Sequence, residues 1–424
     1  MQAWHLKKSI ASTLLVFLLK CAVACAVASA VQSPRSKVVV RLQMPTSGLV
    51  STKFEKEFDS LIHAYNVEHS DTVIEVIHGG DNFSSLKEVI TAKMAGSLPD
   101  LALVECTEIP ALVPLKIISK VPDSWKKTLQ LDDAGGQTKG LSSNSDLSIP
   151  FERVLPVLLI NEDKILTDPK AAPTWKSVRT WNAVAEHGRA VSIPLLSGQG
   201  LWLLEAIAGI PIWKRTAGGL QANRELIPLL ESLRKNDSSL GWDRSIQAFV
   251  GGDSPLLVTS IETLAYLASR LPFKWHALPL PRTRGEAGEP VTGSDWIILQ
   301  PKPGPEILRF LTYLYSPEVA ARWTLAGSFL PLRQSWSQTA QWREGISSMG
   351  DYPKLVQLIQ KNKKFKPSSF RLTDRDVIQA RSAWTQALHE IFLAPETDAP
   401  FNPMPLSDIL TQLDHKLNSL KGDR

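Results

Sequence analysis

Glu105, Cys106 and Asp295 are the side chains of this sequence that most invite a catalytic reading. A carboxylate pair such as Glu105 and Asp295 is the equipment of an exported glycoside hydrolase, one group acting as acid and one as base or nucleophile. Cys106 directly follows the apolar run Leu101–Val104. A thiol placed there reads more readily as an inert buried group than as a nucleophile. His63 and His69 lie six apart, a spacing that does not bring two imidazoles to one helix face for a metal. The sequence carries no Gly-x-x-x-x-Gly-Lys-Ser/Thr loop, no Gly-x-Gly-x-x-Gly fingerprint and no Gly-x-Ser-x-Gly elbow, so nucleotide binding and serine hydrolysis lack motif support. No cofactor, metal or catalytic residue is expected. What remains are groups suited to holding a solute: Thr46, Ser47, Asp81, Asn82, Phe83, Glu105 and Thr107. Each has a plainer alternative as a cap or turn residue.

The segments around these residues explain their interest. Val38–Leu42 reads as a strand, and Phe54, Phe58, Leu61, Ile62 and Tyr65 recur at helical spacing. Thr72–Ile77 is a second strand. Ser84–Ala95 is a helix stopped by Gly96 and Pro99, and Leu101–Val104 is a third strand. Strand, helix, strand, helix, strand predicts a parallel α/β sheet. Ligands bind outside the carboxyl ends of such strands, where the loops 44–51, 78–83 and 105–110 converge. A second unit begins at the apolar strand Leu155–Ile160. Helices are expected at Trp181–His187, Trp202–Ile207 and Leu220–Leu233, then a strand at Pro255–Thr259 and a surface loop at Arg282–Pro290. Trp296–Leu299 reads as a strand and Ile307–Tyr315 as a helix. From Asp374 the tail is mainly helical, with Val377, Ala380, Trp384, Leu388 and Ile391 on one face.

Composition bounds the rest. The 424 residues are 43% hydrophobic and 21% charged, with net charge +5. That excludes collagen-like, disordered and disulfide-scaffold chains and suits two or three domain equivalents. Met1–Ala30 has Lys7 and Lys8, an apolar stretch from Ile10 to Leu19, and Ala28-Ser29-Ala30, the pattern of a secretory signal peptide. Lys20 leaves that stretch shorter than the ~20 residues a spanning helix needs. Ala22-Val23-Ala24-Cys25 offers a second reading, a lipoprotein anchored through Cys25. Loss of Lys7, Lys8 and Lys20 lowers the charge to +2, which with one basic cluster at Lys361–Lys366 argues against a nucleic-acid partner. Cleavage after Ala30 leaves Cys106 as the single cysteine, so no internal disulfide is expected. An exported α/β chain without catalytic motifs points to binding.

The order of several short segments resembles the extracellular solute-binding proteins of ABC importers, the large family that includes maltose- and glycerol-3-phosphate-binding proteins. They are Phe54–Asn66, Ala95–Leu101, Ile149-Pro150-Phe151 with Val157–Asp163, Phe249–Asp253, Gly293–Trp296, Ser316–Trp323 and Gly327–Leu332. The resemblance spans about Lys37 to Leu420. Phe370-Arg371-Leu372 points to the glycerol-3-phosphate-binding branch.

The resemblance implies a periplasmic-binding-protein-like fold: two α/β lobes joined by hinge crossings, with a ligand cleft between them. Lobe one is expected at 31–152 and 294–332, and lobe two at 155–290 and 335–424. It implies a monomer that captures a small solute, a glycerophosphate-like phosphoester or a sugar, and delivers it to permease subunits served by an ATPase. Carried over residue by residue, Phe83 is a stacking ring and Glu105 a hydroxyl acceptor. Ser260 and Thr263 are second-lobe hydroxyls. Gly293 lets its backbone N–H approach a phosphate, Phe329 replaces a tyrosine, and Arg371 is a bidentate phosphate partner. After Pro150-Phe151 the family places small hydroxyl residues, where this chain has Glu152-Arg153-Val154, making Arg153 a further anion contact. The alternatives are an Arg371 pair with Asp374 or Asp376, and core positions for Phe83 and Phe329. Trp202, Trp242 and Trp296 are candidates for stacking on a sugar face.

Overall fold

The computed structural model describes residues 37–45, 52–80, 85–131, 146–166, 191–216, 219–235, 241–268, 270–281, 289–362, 365–367, 376–393 and 404–419. Phe83, Arg371, the first 36 residues and the helix expected at Trp181–His187 lie outside the described residues.

Strand β1 (Val38–Met44) leads into helix α1 (Thr52–Glu68), strand β2 (Thr72–His78), helix α2 (Ser85–Met94) and strand β3 (Leu101–Glu105). The stripe Phe54, Phe58, Leu61, Ile62 and Tyr65 is the buried face of α1. Each such fully buried side chain contributes roughly 1.5–3 kcal/mol by leaving water. Helix α2 is followed by Gly96 at φ +66, the left-handed position that ends a helix cheaply only for glycine.

β1 pairs in parallel with both β2 and β3, as the alternation of strands and helices requires. The sheet is nevertheless mixed. Strands β4 (Ser148–Pro150), β5 (Pro156–Asn161), β6 (Val191–Ser192), β7 (Leu256–Ser260), β8 (Trp275–Pro279) and β9 (Ser294–Ile298) complete two sheets. The first has the order β2-β1-β3-β9-β4, with β9 antiparallel to both β3 and β4. The expected all-parallel sheet therefore ends at β3. The chain reaches β9 from the second sheet rather than through a helical crossover, so direction is unconstrained there. The second sheet has the order β8-β5-β7-β6.

The segment expected to be helical from Leu220 begins as a strand, Gly219–Ala222, paired with Trp213–Thr216. A short 3-10 turn and helix Ile227–Lys235 follow. The last two residues of the expected loop Arg282–Pro290 instead begin a short strand, Glu289–Val291, paired with Phe365–Pro367. Helix α3 (Gly200–Ala208) packs with the second sheet's half of the chain. Helices α4 (Pro305–Leu314) and α5 (Pro317–Gly327) follow β9, and α5 packs on α1. Helix Ala340–Ile346 packs back on α5, and Tyr352–Asn362 packs on β8. The tail forms α6 (Asp376–Phe392) and α7 (Leu406–Ser419). Ala380, Trp384, Leu388 and Ile391 of α6 are buried as their spacing predicts.

The chain passes from β4 to β5 through Phe151–Leu155 and returns from Val291 to β9, so both crossings run between the sheets. They are stitched side by side: Val154 N donates to Thr292 O (3.0 Å), and Phe151 N and Glu152 N each donate to Ser294 O (3.1 Å). Leu330 N donates to Arg153 O (2.9 Å), bringing a third segment to the same place. Phe151 and Trp296 pack with Phe54, Phe58, Trp323 and Phe329 in one aromatic core beneath this junction.

Candidate functional site

Thr46, Ser47, Asp81 and Asn82 lie outside the described residues. Of the other candidates, Glu105 and Thr107 at the end of β3 and Ser260 and Thr263 at the end of β7 lie next to the crossings, where Gly293 O accepts from Cys106 N and Leu155 O from Ile261 N. Glu105 ends β3, whose five residues are all buried. Its register partner across β9 is Ser294. Glu105 accepts from Thr107 Oγ1 and Thr292 Oγ1, and from Arg381 Nη2 at 3.0 Å. A carboxylate this deep is tolerable only with such a full set of donors.

Asp295 stands one position along β9 from Ser294, opposite Val104. Successive side chains on a strand point to opposite faces, so Glu105 and Asp295 project from opposite faces of the sheet. They cannot flank one glycosidic bond, and the hydrolase pair is not assembled. Asp295 instead faces Arg153, with Nη2 to Oδ1 at 2.7 Å, and accepts from Ser148 Oγ at 2.7 Å.

Arg153 lies on the first crossing, between β4 and β5, and is 1% exposed. Its Nη1 donates to Glu152 O (2.6 Å) and Ser294 O (3.3 Å). Burial works against its charge, and Asp295 more than offsets this and holds it protonated. The guanidinium expected to meet a ligand anion is paired inside the protein with a buried aspartate, which offsets the cost of keeping the charge away from solvent.

Gly293 has φ +143, and an added Cβ would sit 2.1 Å from the Glu152 carbonyl oxygen and 3.0 Å from Arg153 Cα. Its own carbonyl accepts from Cys106 N at 2.8 Å. Glycine is required here by the close approach of two crossings. Burial pushes the Cys106 thiol up, with Glu105 adding to the effect, so the protonated, inert form is favoured.

Ser260 ends β7 and Thr263 opens the short helix Thr263–Leu267, both fully buried. Thr263 Oγ1 lies 2.8 Å from Thr259 Oγ1, which takes up one of its hydrogen bonds. Between these hydroxyls stands Glu262, which accepts from Gln199 Nε2. Burial pushes the Glu262 carboxyl up, while the hydrogen bond from Gln199 pulls it back. Phe329 is 4% exposed, edge-on to Phe54 at 5.2 Å, with its carbonyl bound by Tyr352 Oη. It occupies the core position, and Trp296 does likewise at 0% exposure. Trp202 is buried on α3.

Glu152, Glu262, Glu108 and Arg381 were not anticipated as site residues. Glu152 is buried and accepts from Ser294 Oγ (2.7 Å). Its carboxyl is pushed up to about 8 by burial first and by the charge of Glu262 second, against the pull of Ser294 and Arg153. Glu152 was visible as a departure from the family pattern. Arg381 was visible as a charge beside the apolar stripe of α6. Neither signal names a partner. Among the described residues, no group of three or more His, Cys, Asp or Glu is placed to hold a metal, and no helix is long and apolar enough to cross a membrane.

Residues 60–348 match the family model of the bacterial extracellular solute-binding proteins. The sn-glycerol-3-phosphate-binding periplasmic protein UgpB of Escherichia coli (strain K12) is 25% identical over 319 residues, 66% of this chain and 72% of that protein. The protein of the same name from Shigella flexneri serotype 5b (strain 8401) is 25% identical over 315 residues, with the same coverage. Among solved structures, maltose-bound T. maritima MalE3 superposes with a TM-score of 0.70 at 13% identity, covering 90% of this chain and all of that one. UgpB from Mycobacterium tuberculosis in complex with glycerophosphocholine gives 0.67 at 14% identity, covering 92% and 99%. The periplasmic-binding-protein-like fold, two α/β lobes joined by crossings, is thus the fold of this chain, and with a family match over more than half its length the chain belongs to the bacterial extracellular solute-binding proteins.

Proposed function

We propose that this protein is the solute receptor of an ABC importer, capturing glycerol 3-phosphate or a glycerophosphodiester-like ester between its lobes. The observation that carries the reading is the junction at Phe151–Leu155, Thr292–Ser294 and Leu330, where adjacent crossings join two sheets and bury polar groups from both. Crossings of this kind permit hinge closure, which desolvates a bound solute. The phosphoester preference is supported by the 25% identity to glycerol-3-phosphate-binding proteins. In this reading Arg371 grips the phosphate, Phe83 stacks on the solute, and Ser260 and Thr263 line the second-lobe wall. In the same reading the lobes are 31–152 with 294–332 and 155–290 with 335–424, and helix Ala340–Ile346 reaches across to pack on α5. The loaded monomer docks on permease subunits, and residues 1–30 direct export.

Isothermal calorimetry tests this with glycerol 3-phosphate, glycerophosphocholine and maltose. Binding of a phosphoester that weakens at least about tenfold in Arg371→Ala is expected from loss of a charge-assisted bidentate contact. Equal binding by both proteins would remove the phosphate role. The second reading, a neutral sugar receptor, is favoured by the superposition on maltose-bound MalE3. Binding of maltose with no heat from either phosphoester would establish it.

A further inference from the structure

The end of β3 is tied to a distant part of the chain by one side chain. Arg381, in the second turn of α6, sends Nη2 to Glu105 Oε2 (3.0 Å) and to Thr107 Oγ1 (2.8 Å), and Nη1 to Glu108 Oε1. The other oxygen of Glu105 accepts from Thr292 Oγ1, on the second crossing. The three charged side chains are 18%, 6% and 3% exposed, so the ion pairs are poorly screened.

The two ends of this contact belong to different halves of the molecule. β3 is central in the first sheet. α6 packs on α7 and α3, and α7 packs on the strand Gly219–Ala222, within the half built around the second sheet. A rotation about the crossings therefore has to stretch or break the Arg381 contacts. One guanidinium faces two carboxylates, and removing it would leave Glu105 and Glu108 buried, adjacent and mutually repelling. Glu105 is at the same time the acceptor assigned to the solute, and in this structure its oxygens are already engaged by internal donors.

We propose that Arg381 is an interlobe clasp, tying the lobes together before solute arrives and setting the fraction of protein that is closed. The apparent dissociation constant is the intrinsic one divided by the fraction of protein competent to bind, so the clasp tunes capture without adding a solute contact. The proposal rests on the two-lobed receptor reading.

Small-angle X-ray scattering and hydrogen-exchange mass spectrometry on the full-length, solute-free protein test it, with Arg381→Met and Glu108→Gln. Both variants are expected to show a larger radius of gyration. Exchange should quicken at least about tenfold at 105–112 and in the first turns of α6, with β1 and β5 retaining their protection. Unchanged dimensions and exchange in either variant would overturn the clasp. So would a uniform acceleration across both sheets, which marks an ordinary stabilising ion pair. Neither readout uses a solute, so a wrong solute class leaves the result standing. A receptor reading that fails does so in calorimetry, as no binding to any of the three probes.

Discussion

Ser294 Oγ donates to Glu152 Oε1 at 2.7 Å, joining the first two crossings through a carboxyl that is 4% exposed. Burial and the nearby charge of Glu262 push that carboxyl up to about 8 from an ordinary value of 4.5. The folded protein therefore binds a proton that the unfolded chain has released between these two values. Stability contributed by the neutral group is complete below pH 4.5 and is lost as pH rises toward 8, at about 1.4 kcal/mol per unit. Urea denaturation at pH 5.5 and 8.5 should show a fall across this interval that Glu152→Gln flattens. Parallel curves for the two proteins would refute this assignment.

Arg153 and Asp295 form a buried pair, 2.7 Å apart. Replacing Arg153 with Met strands a buried carboxylate and should cost about 3–5 kcal/mol, whereas Arg153→Met with Asp295→Leu should recover most of that loss. The midpoint of chemical denaturation reports both. Additive losses in the double variant would show that the two residues act separately.

Gly293→Ala places a methyl group 2.1 Å from the Glu152 carbonyl oxygen at a φ of +143. A loss of about 1–3 kcal/mol from backbone strain alone is expected, with the steric displacement adding to it. Thermal unfolding measures the effect. A wild-type melting temperature would mean the crossings separate at no cost.

Phe329 packs edge-on against Phe54 at 5.2 Å. Phe329→Ala should cost about 3–5 kcal/mol as a core truncation. Solute affinity of the folded fraction should change little, because the ring lies in the core. A large affinity loss at unchanged stability would return Phe329 to the cleft wall.

Much of the scaffold was legible in the sequence because its signals are local. The stripe of α1, the stop at Gly96 and the apolar runs of β3 and β5 each depend on a few neighbouring residues. The departure at Glu152-Arg153 was also visible, but not the internal partner of its arginine. A charged pair beside a crossing suggested a ligand contact, while the structure pairs Arg153 with Asp295, 142 positions away in the chain.

Helix and strand periodicity, and through it the α/β class, were carried by the order of residues alone, and the resemblance to the family by the order of short segments. Direction of pairing in β9, the opposite faces of Glu105 and Asp295, and the employment of Arg153, Glu262 and Arg381 were decided only in three dimensions. The reason is electrostatic and steric together: a buried charge is tolerable only beside a specific partner, and that partner is chosen by sheet register and helix packing rather than by distance along the chain.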